Sequence, residues 1–359
     1  MIYYIAHWDW ILLQSRAEVV KSLESTYKIE GIAPLEDNKY LLNNYSHLHD
    51  WKINRKKLLD ISGVIDLRKK ISKFKHNDLI HLFTLKTLIL YLLSTLKFKK
   101  QFSVIASITG LGYLFSNTKL SKILRLIIKP LVIRKINSCV DIIIFQNELD
   151  KDTFIEFSKY KNQIILVEGS GLNTNNFQIK NSPNKKIKVI FVGRLLKEKG
   201  IFEFLKIAEA LKQENNFEFF VAGDRDEGNK SSINDHEFKE LKQKVTYLGN
   251  IDVPNELFQY DILINPSHHE GFSRVILEGA YVGLYCIAND IPGTRGIIND
   301  LKYGAVVENN DINTYIELIR NFDRNKESLD VDKVRDKIIK NYSSNAIANK
   351  FSKIYSELC

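Results

Sequence analysis

Cysteine is scarce in this sequence, and the little there is does not cluster. Its three cysteines, Cys139, Cys286 and Cys359, are scattered through 359 residues without pair or ligand spacing. That argues against a disulfide framework or a zinc cluster and suits a reducing, cytoplasmic setting. No zinc-finger, RNA-recognition or basic-zipper signature accompanies the positive charge, so nucleic acid is not an expected partner. Residues 1–10 have neither a basic n-region nor a small-residue cleavage site, which argues against a secretory signal. Short-period repeats and low-complexity tracts are absent as well. One apolar run, residues 79–96, approaches membrane-spanning length, but His81 and Lys86 break it. With Asp78 before it and Lys97, Lys99 and Lys100 after it, the run reads as a strand over 79–83 and a buried helix over 84–96.

What is present is enough apolar material for two cores: 44% hydrophobic and 11% aromatic residues in a chain longer than one ordinary α/β domain. The formal net charge of +9 leaves open an anionic lipid, a phosphorylated substrate, or a well-solvated lysine-rich surface. The C-terminal half carries strand-like runs at 188–192, 217–222, 245–248, 261–265, 285–288 and 304–307. Between the first two, Ile201, Phe202, Phe204, Leu205, Ala208 and Leu211 follow helical spacing. Continuous apolar strands alternating with helices predict a parallel sheet covered on both faces. The turns that follow, at Gly193, Gly223-Asp224, Gly249-Asn250, Pro266-Ser267 and Asn289-Asp290, suit the ligand-bearing carboxyl edge of such a sheet. The N-terminal half repeats the rhythm less clearly, at 2–6, 79–83, 104–108, 142–145 and 164–167. The expected division is a domain over 1–170, a linker over 169–186 rich in Gly, Asn, Ser and Pro, and a second domain over 185–342. A last helix over 343–358 is able to pack back on the first domain.

The sharpest chemical feature is Glu270-Gly271-Phe272-Ser273-Arg274-Val275-Ile276-Leu277-Glu278, after the strand at 261–265. Gly271 permits a tight turn, and Ser273 is the expected N-cap of the next helix. The N–H groups at that helix start would face an anion such as diphosphate. Two carboxylates beside an anion site make poor phosphate ligands, but a carboxylate can accept two hydrogen bonds from a vicinal diol. Glu270 would then hold a sugar and Glu278 a ribose. In isolation the pair would be a loop acid and a solvated helix acid; the strand–loop–helix setting favours the binding role. The second feature is Gly193-Arg194-Leu195-Leu196-Lys197-Glu198-Lys199-Gly200. Gly193 allows close backbone approach, Arg194 offers a planar fork to phosphate, and Lys199 adds a point charge. Together the two cations could neutralise a departing diphosphate without a metal.

These motifs resemble the C-terminal domain of family 4 glycosyltransferases over 193–200, 245–250 and 261–280, with Pro292-Gly293-Thr294-Arg295 and Gly304 in the same pattern. In the first half, His7-Trp8-Asp9-Trp10, Ile108-Thr109-Gly110-Leu111-Gly112-Tyr113 and Phe145-Gln146-Asn147 resemble a bacterial branch that builds lipid-linked surface polysaccharides. The resemblance implies the GT-B architecture, two Rossmann-like parallel-sheet domains facing across a cleft. It also implies a nucleoside-diphosphate sugar as donor, UDP-linked, no resident cofactor or metal, and transfer with retention of anomeric configuration. On that basis Arg194 and Lys199 match the diphosphate pair, Glu270 the donor-sugar contact and Glu278 the ribose contact, with Gly193, Gly271, Phe272, Ser273, Thr109 and Gly110 lining the donor site. Thr109 stands where many relatives carry a donor-facing histidine, and Phe83 where some carry a second one. His81 is the alternative, although a lone histidine beside a strand is more often packed or hydrogen-bonded. Asp9 reads equally as an acceptor contact and as a helix cap.

Residues 119–135 mix Lys122, Arg125, Lys129, Arg134 and Lys135 with Leu120, Ile123, Leu124, Ile127 and Ile128, around Pro130. This is a basic amphipathic helix that suits either an anionic bilayer or the cover of a Rossmann sheet. The expected activity is transfer of a hexose or N-acetylhexosamine to a saccharide acceptor, carried on a polyprenyl diphosphate at the membrane, in capsule or O-antigen assembly. The alternatives are a sugar-nucleotide epimerase of the same fold and a non-catalytic sugar-nucleotide-binding subunit.

Overall fold

Apolar strands and amphipathic helices alternate along the chain and form two units, Met1–Gly171 with Ser344–Cys359, and Leu172–Ser343. The computed structural model describes residues 1–35, 44–54, 57, 59–96, 100–115, 118–179, 185–226, 229, 231–324 and 331–358. Cys359, Lys97, Lys99 and linker residues 180–184 lie outside the described residues.

The first unit runs β1 (Ile2–Ala6), α1 (Asp9–Leu23), β2 (Ile29–Ala33), β3 (His47–Asp50), α2 (Ile61–Ile71), β4 (Leu79–Phe83), α3 (Leu85–Ser94), β5 (Ser103–Ile108), α4 (Lys119–Cys139), β6 (Ile142–Phe145), α5 (Glu148–Ser158) and β7 (Gln163–Leu166). All pairings are parallel, in the order β3-β2-β1-β4-β5-β6-β7. The order reverses between β1 and β4, so a crevice opens at their carboxyl ends. Helices α2 to α5 cover one face, and α1 covers the other. The run at 79–96 is indeed a strand and a buried helix, and no helix among the described residues is long and apolar enough to cross a membrane.

The second unit runs β8 (Ile187–Val192), α6 (Ile201–Ala210), β9 (Phe217–Ala222), α7 (Asp235–Lys244), β10 (Thr246–Gly249), α8 (Val253–Glu256), β11 (Ile262–Asn265), α9 (Arg274–Val282), β12 (Tyr285–Asn289), α10 (Pro292–Leu301), β13 (Ala305–Val307), α11 (Ile312–Arg320) and α12 (Val331–Tyr342). Its sheet is again parallel, in the order β10-β9-β8-β11-β12-β13. The reversal falls between β8 and β11, the two strands that precede the two motifs singled out above.

The last helix, α13 (Ser344–Ser356), belongs to the first unit. Ile347, Phe351 and Ile354 are buried with Leu12, Val19 and Val20 of α1. Each such side chain contributes roughly 1.5–3 kcal/mol by leaving water. Polar ties add direction. The Tyr355 and Tyr4 hydroxyls share a hydrogen bond of 2.6 Å, and Tyr355 Oη lies 2.7 Å from His81 Nδ1. His81 Nε2 meets Ser107 Oγ at 2.7 Å. His81 is therefore an interior, hydrogen-bonded residue and not a donor-facing one. Burial above all, and the nearby Arg16 charge, hold its imidazole well below the usual histidine range. Cys139 and Cys286 are buried free thiols, one in each unit.

Candidate active site at the carboxyl edge of the second sheet

The site is assembled by three loops that leave β8, β11 and β12. After β8 the chain turns through Gly193 and Arg194 into a 3-10 turn, Lys197–Lys199. It enters α6 through Gly200, whose φ of +76° and position leave no room for a side chain. A β-carbon there would stand 2.1 Å from the Pro266 carbonyl oxygen, so the loops after β8 and β11 are in backbone contact. The His268 N–H donates to the Glu198 carbonyl at 2.9 Å and fastens them further.

The Pro266–Ser273 loop is fixed by buried amides. Asn265 Nδ2 donates to Ser273 Oγ at 2.7 Å, and Asn289 Nδ2 donates to the Ser267 carbonyl at 2.9 Å. Asn310 Nδ2 donates to the Pro266 carbonyl at 2.8 Å. Ser273 does sit at the N-cap position of α9, but its side chain does not cap the helix. The Asn265 amide holds the Ser273 hydroxyl instead, and the Ser273 N–H donates to the Gly293 carbonyl at 2.9 Å. Gly271 does not take up a positive φ, so it needs no left-handed turn. Gly293 in α10 is what this loop requires to be a glycine, since a β-carbon there would lie 2.3 Å from the Glu270 carbonyl oxygen. Phe272 packs its ring against Tyr342 of α12, with centroids 5.6 Å apart. A β-carbon on Gly193 would meet nothing closer than 3.7 Å, so what favours glycine there is its φ of +158° and not crowding.

Lys199 and Glu270 meet across the strand-order reversal. Lys199 Nζ lies 2.6 Å from Glu270 Oε1, which also accepts from Ser267 Oγ at 3.1 Å. Both side chains are largely withdrawn from water, at 22% and 15% exposure, so the pair is weakly screened. The other two charges of the expected quartet are engaged elsewhere. Arg194 Nη1 lies 2.7 Å from Asp226 Oδ2, and Glu278 Oε1 accepts from Arg274 Nε at 2.7 Å, one helical turn back. Sequence reasoning missed Asp226 and the Asn265–Ser267–Asn289–Asn310 lattice; for the asparagines, the signal was their recurrence at strand ends. Thr109 and Gly110 lie in the first unit, at the carboxyl end of β5, beside β4.

The structure thus brings one cation and one carboxylate, Lys199 and Glu270, together at the strand-order reversal, the edge where parallel α/β sheets bind ligands. Residues 173–346 match the family model described as Glycosyl transferases group 1. A UDP-Gal:alpha-D-GlcNAc-diphosphoundecaprenol alpha-1,3-galactosyltransferase of Escherichia coli is 27% identical over 315 residues, spanning 83% of this chain and 80% of that protein. An N,N'-diacetylbacillosaminyl-diphospho-undecaprenol alpha-1,3-N-acetylgalactosaminyltransferase of Campylobacter jejuni is 27% identical over 232 residues, 60% of each chain. Among solved structures, Anabaena HepE in complex with UDP and glucose superposes with a TM-score of 0.77 at 15% identity, over 99% of both chains, which speaks to the fold. The two parallel-sheet units are those of the GT-B architecture, and the second unit carries the group 1 glycosyltransferase domain.

Proposed function

We propose that this chain transfers a hexose or N-acetylhexosamine from a UDP-linked sugar to a saccharide carried on a polyprenyl diphosphate, with retention of configuration. The observation that carries the reading is the Lys199–Glu270 pair spanning the β8/β11 reversal. A diphosphate entering there competes with Glu270 for Lys199 and with Asp226 for Arg194. The cations then neutralise the leaving group, and Glu270 is released toward the sugar hydroxyls. The bond from C1 to the phosphate oxygen breaks as the acceptor oxygen bonds C1 on the same face. The departing phosphate oxygen takes the acceptor's proton, so neither carboxylate forms a covalent intermediate. Charge neutralisation by Arg194 and Lys199 supports a metal-free step. The named activities of the Escherichia coli and Campylobacter relatives support the lipid-linked acceptor and a surface-polysaccharide role.

Helix α4 supports placement at an anionic membrane. Its Ile128, Val132 and Ile136 are buried, whereas Leu120, Ile123, Leu126 and Ile127 are 51–72% exposed. Lys119, Lys122, Arg125 and Lys129 flank that exposed stripe. Ile61 and Ile65 at the start of α2, and Leu149 at the start of α5, are exposed as well. All three helices return antiparallel to the strands on one face, so their first turns share the carboxyl rim of the first sheet.

The experiment is transfer from UDP-sugars to an undecaprenyl-diphosphate-linked N-acetylhexosamine, with the product anomer read by NMR. Retention is expected, and Glu270→Gln lowers kcat by about 10²-fold. An inverted product, or full activity in Glu270→Gln, contradicts the assignment.

A further inference from the structure

The first unit carries an unexplained feature at its own strand-order reversal. Asp9, the first residue of α1, is 3% exposed. Its Oδ1 accepts the Trp10 N–H at 2.8 Å, while its Oδ2 is buried with no hydrogen-bond partner. A buried carboxylate oxygen left without a donor is costly, and such an atom marks a place where a ligand supplies one. Beside it the Trp8 and Trp10 indoles stack, with centroids 5.0 Å apart and planes at 21°, and Trp10 is 42% exposed.

Across the reversal, β4 is followed by Thr84, the N-cap of α3, with φ of +82°, a conformation that a β-branched residue adopts only under constraint. Its hydroxyl meets His7 Nδ1 at 2.9 Å and Thr87 Oγ1 at 3.2 Å, which ties the end of β1 to the start of α3. The chain segment bearing Asp9 and both indoles is thus held in a fixed position at the crevice.

We propose that Asp9 and Trp10 bind the acceptor's pyranose: Asp9 Oδ2 accepts one ring hydroxyl, and the indole of Trp10 receives the apolar C–H face. A carboxylate beside an exposed aromatic plane matches the two sides of a sugar ring, one rich in hydroxyls and one in C–H bonds. The assignment rests on the transferase reading, since it names the acceptor site of that reaction.

The test is saturation-transfer NMR on the full chain with UDP present, using octyl glycosides of glucose, galactose, N-acetylglucosamine and N-acetylgalactosamine as probes. Wild type is expected to saturate the ring protons of at least one probe. Asp9→Asn and Trp10→Leu should each weaken that probe's affinity about tenfold, the loss of one charge-assisted contact or one stacking face. UDP protection against thermal unfolding should persist in both variants and certifies that they are folded. Wild-type affinity in both variants, or saturation confined to octyl protons in wild type, overturns the proposal. A wild-type chain that UDP does not protect would instead sink the donor reading.

Discussion

Gly293 stands at the closest approach between α10 and the loop that carries Glu270. A β-carbon there would lie 2.3 Å from the Glu270 carbonyl oxygen and 2.9 Å from the Glu270 β-carbon. Non-bonded carbon and oxygen seldom approach within about 3 Å, so Gly293→Ala has to push the Glu270 backbone away by roughly 0.7 Å or more. Neither side yields easily. The Ser273 N–H is bound to the Gly293 carbonyl, and the loop is pinned through Asn289 and Asn310. The displacement therefore falls on Glu270, whose Oε1 holds Lys199 at 2.6 Å. A misplacement approaching 1 Å costs about 10²-fold in rate, and overpacking costs about 1–3 kcal/mol in stability. Gly296 is a matched control in the same helix, because a β-carbon there meets nothing within 4 Å. Gly296→Ala should keep full activity and gain roughly 0.5–1 kcal/mol from better helix propensity. Steady-state transfer and thermal unfolding read both variants. Activity in Gly293→Ala within about threefold of wild type, or an equal loss in Gly296→Ala, refutes the reasoning.

Three further outcomes are expected. His81 is buried, and its folded pKa lies below the ordinary 6.5, so below that pH the unfolded chain binds the proton and stability falls as pH falls. Denaturant titrations between pH 7 and pH 5 should show less acid sensitivity in His81→Gln than in wild type. Flotation with anionic liposomes should capture the chain at low salt and release it at high salt, and Ile123→Glu with Ile127→Glu should abolish capture. Transfer activity should survive EDTA, and a loss restored by added divalent cation would overturn the metal-free step.

Much of this fold was legible because parallel strands buried on both faces are written as continuous apolar runs. β1, β4, β6 and β9 were read to the residue. β2 and β3 were missed for a physical reason. Ile29–Ala33 contains Glu30 and Gly31, and His47–Asp50 is a polar edge strand whose existence depends on pairing with β2. His81 was weighed correctly as a packed histidine, since a fully apolar strand carries its alternate residues inward. Lys199 and Glu270 were singled out from the strand ends that carry them, and the fold brings those two together, whereas Arg194 and Glu278 pair elsewhere. Nothing local announces that Arg194 pairs with Asp226, or that Asn265 takes the hydroxyl expected to cap α9. In helix α4 one row of apolar residues covers the sheet, as one of its two readings expected, and a second row is exposed.

The central claim is that a nucleoside diphosphate binds where Lys199 meets Glu270, and thermal unfolding with added UDP tests it most directly. UDP at about 100 times its Kd should stabilise the wild-type chain by roughly 2.7 kcal/mol, and Lys199→Met combined with Arg194→Met should remove that gain. Equal protection of wild type and the double variant would contradict the account.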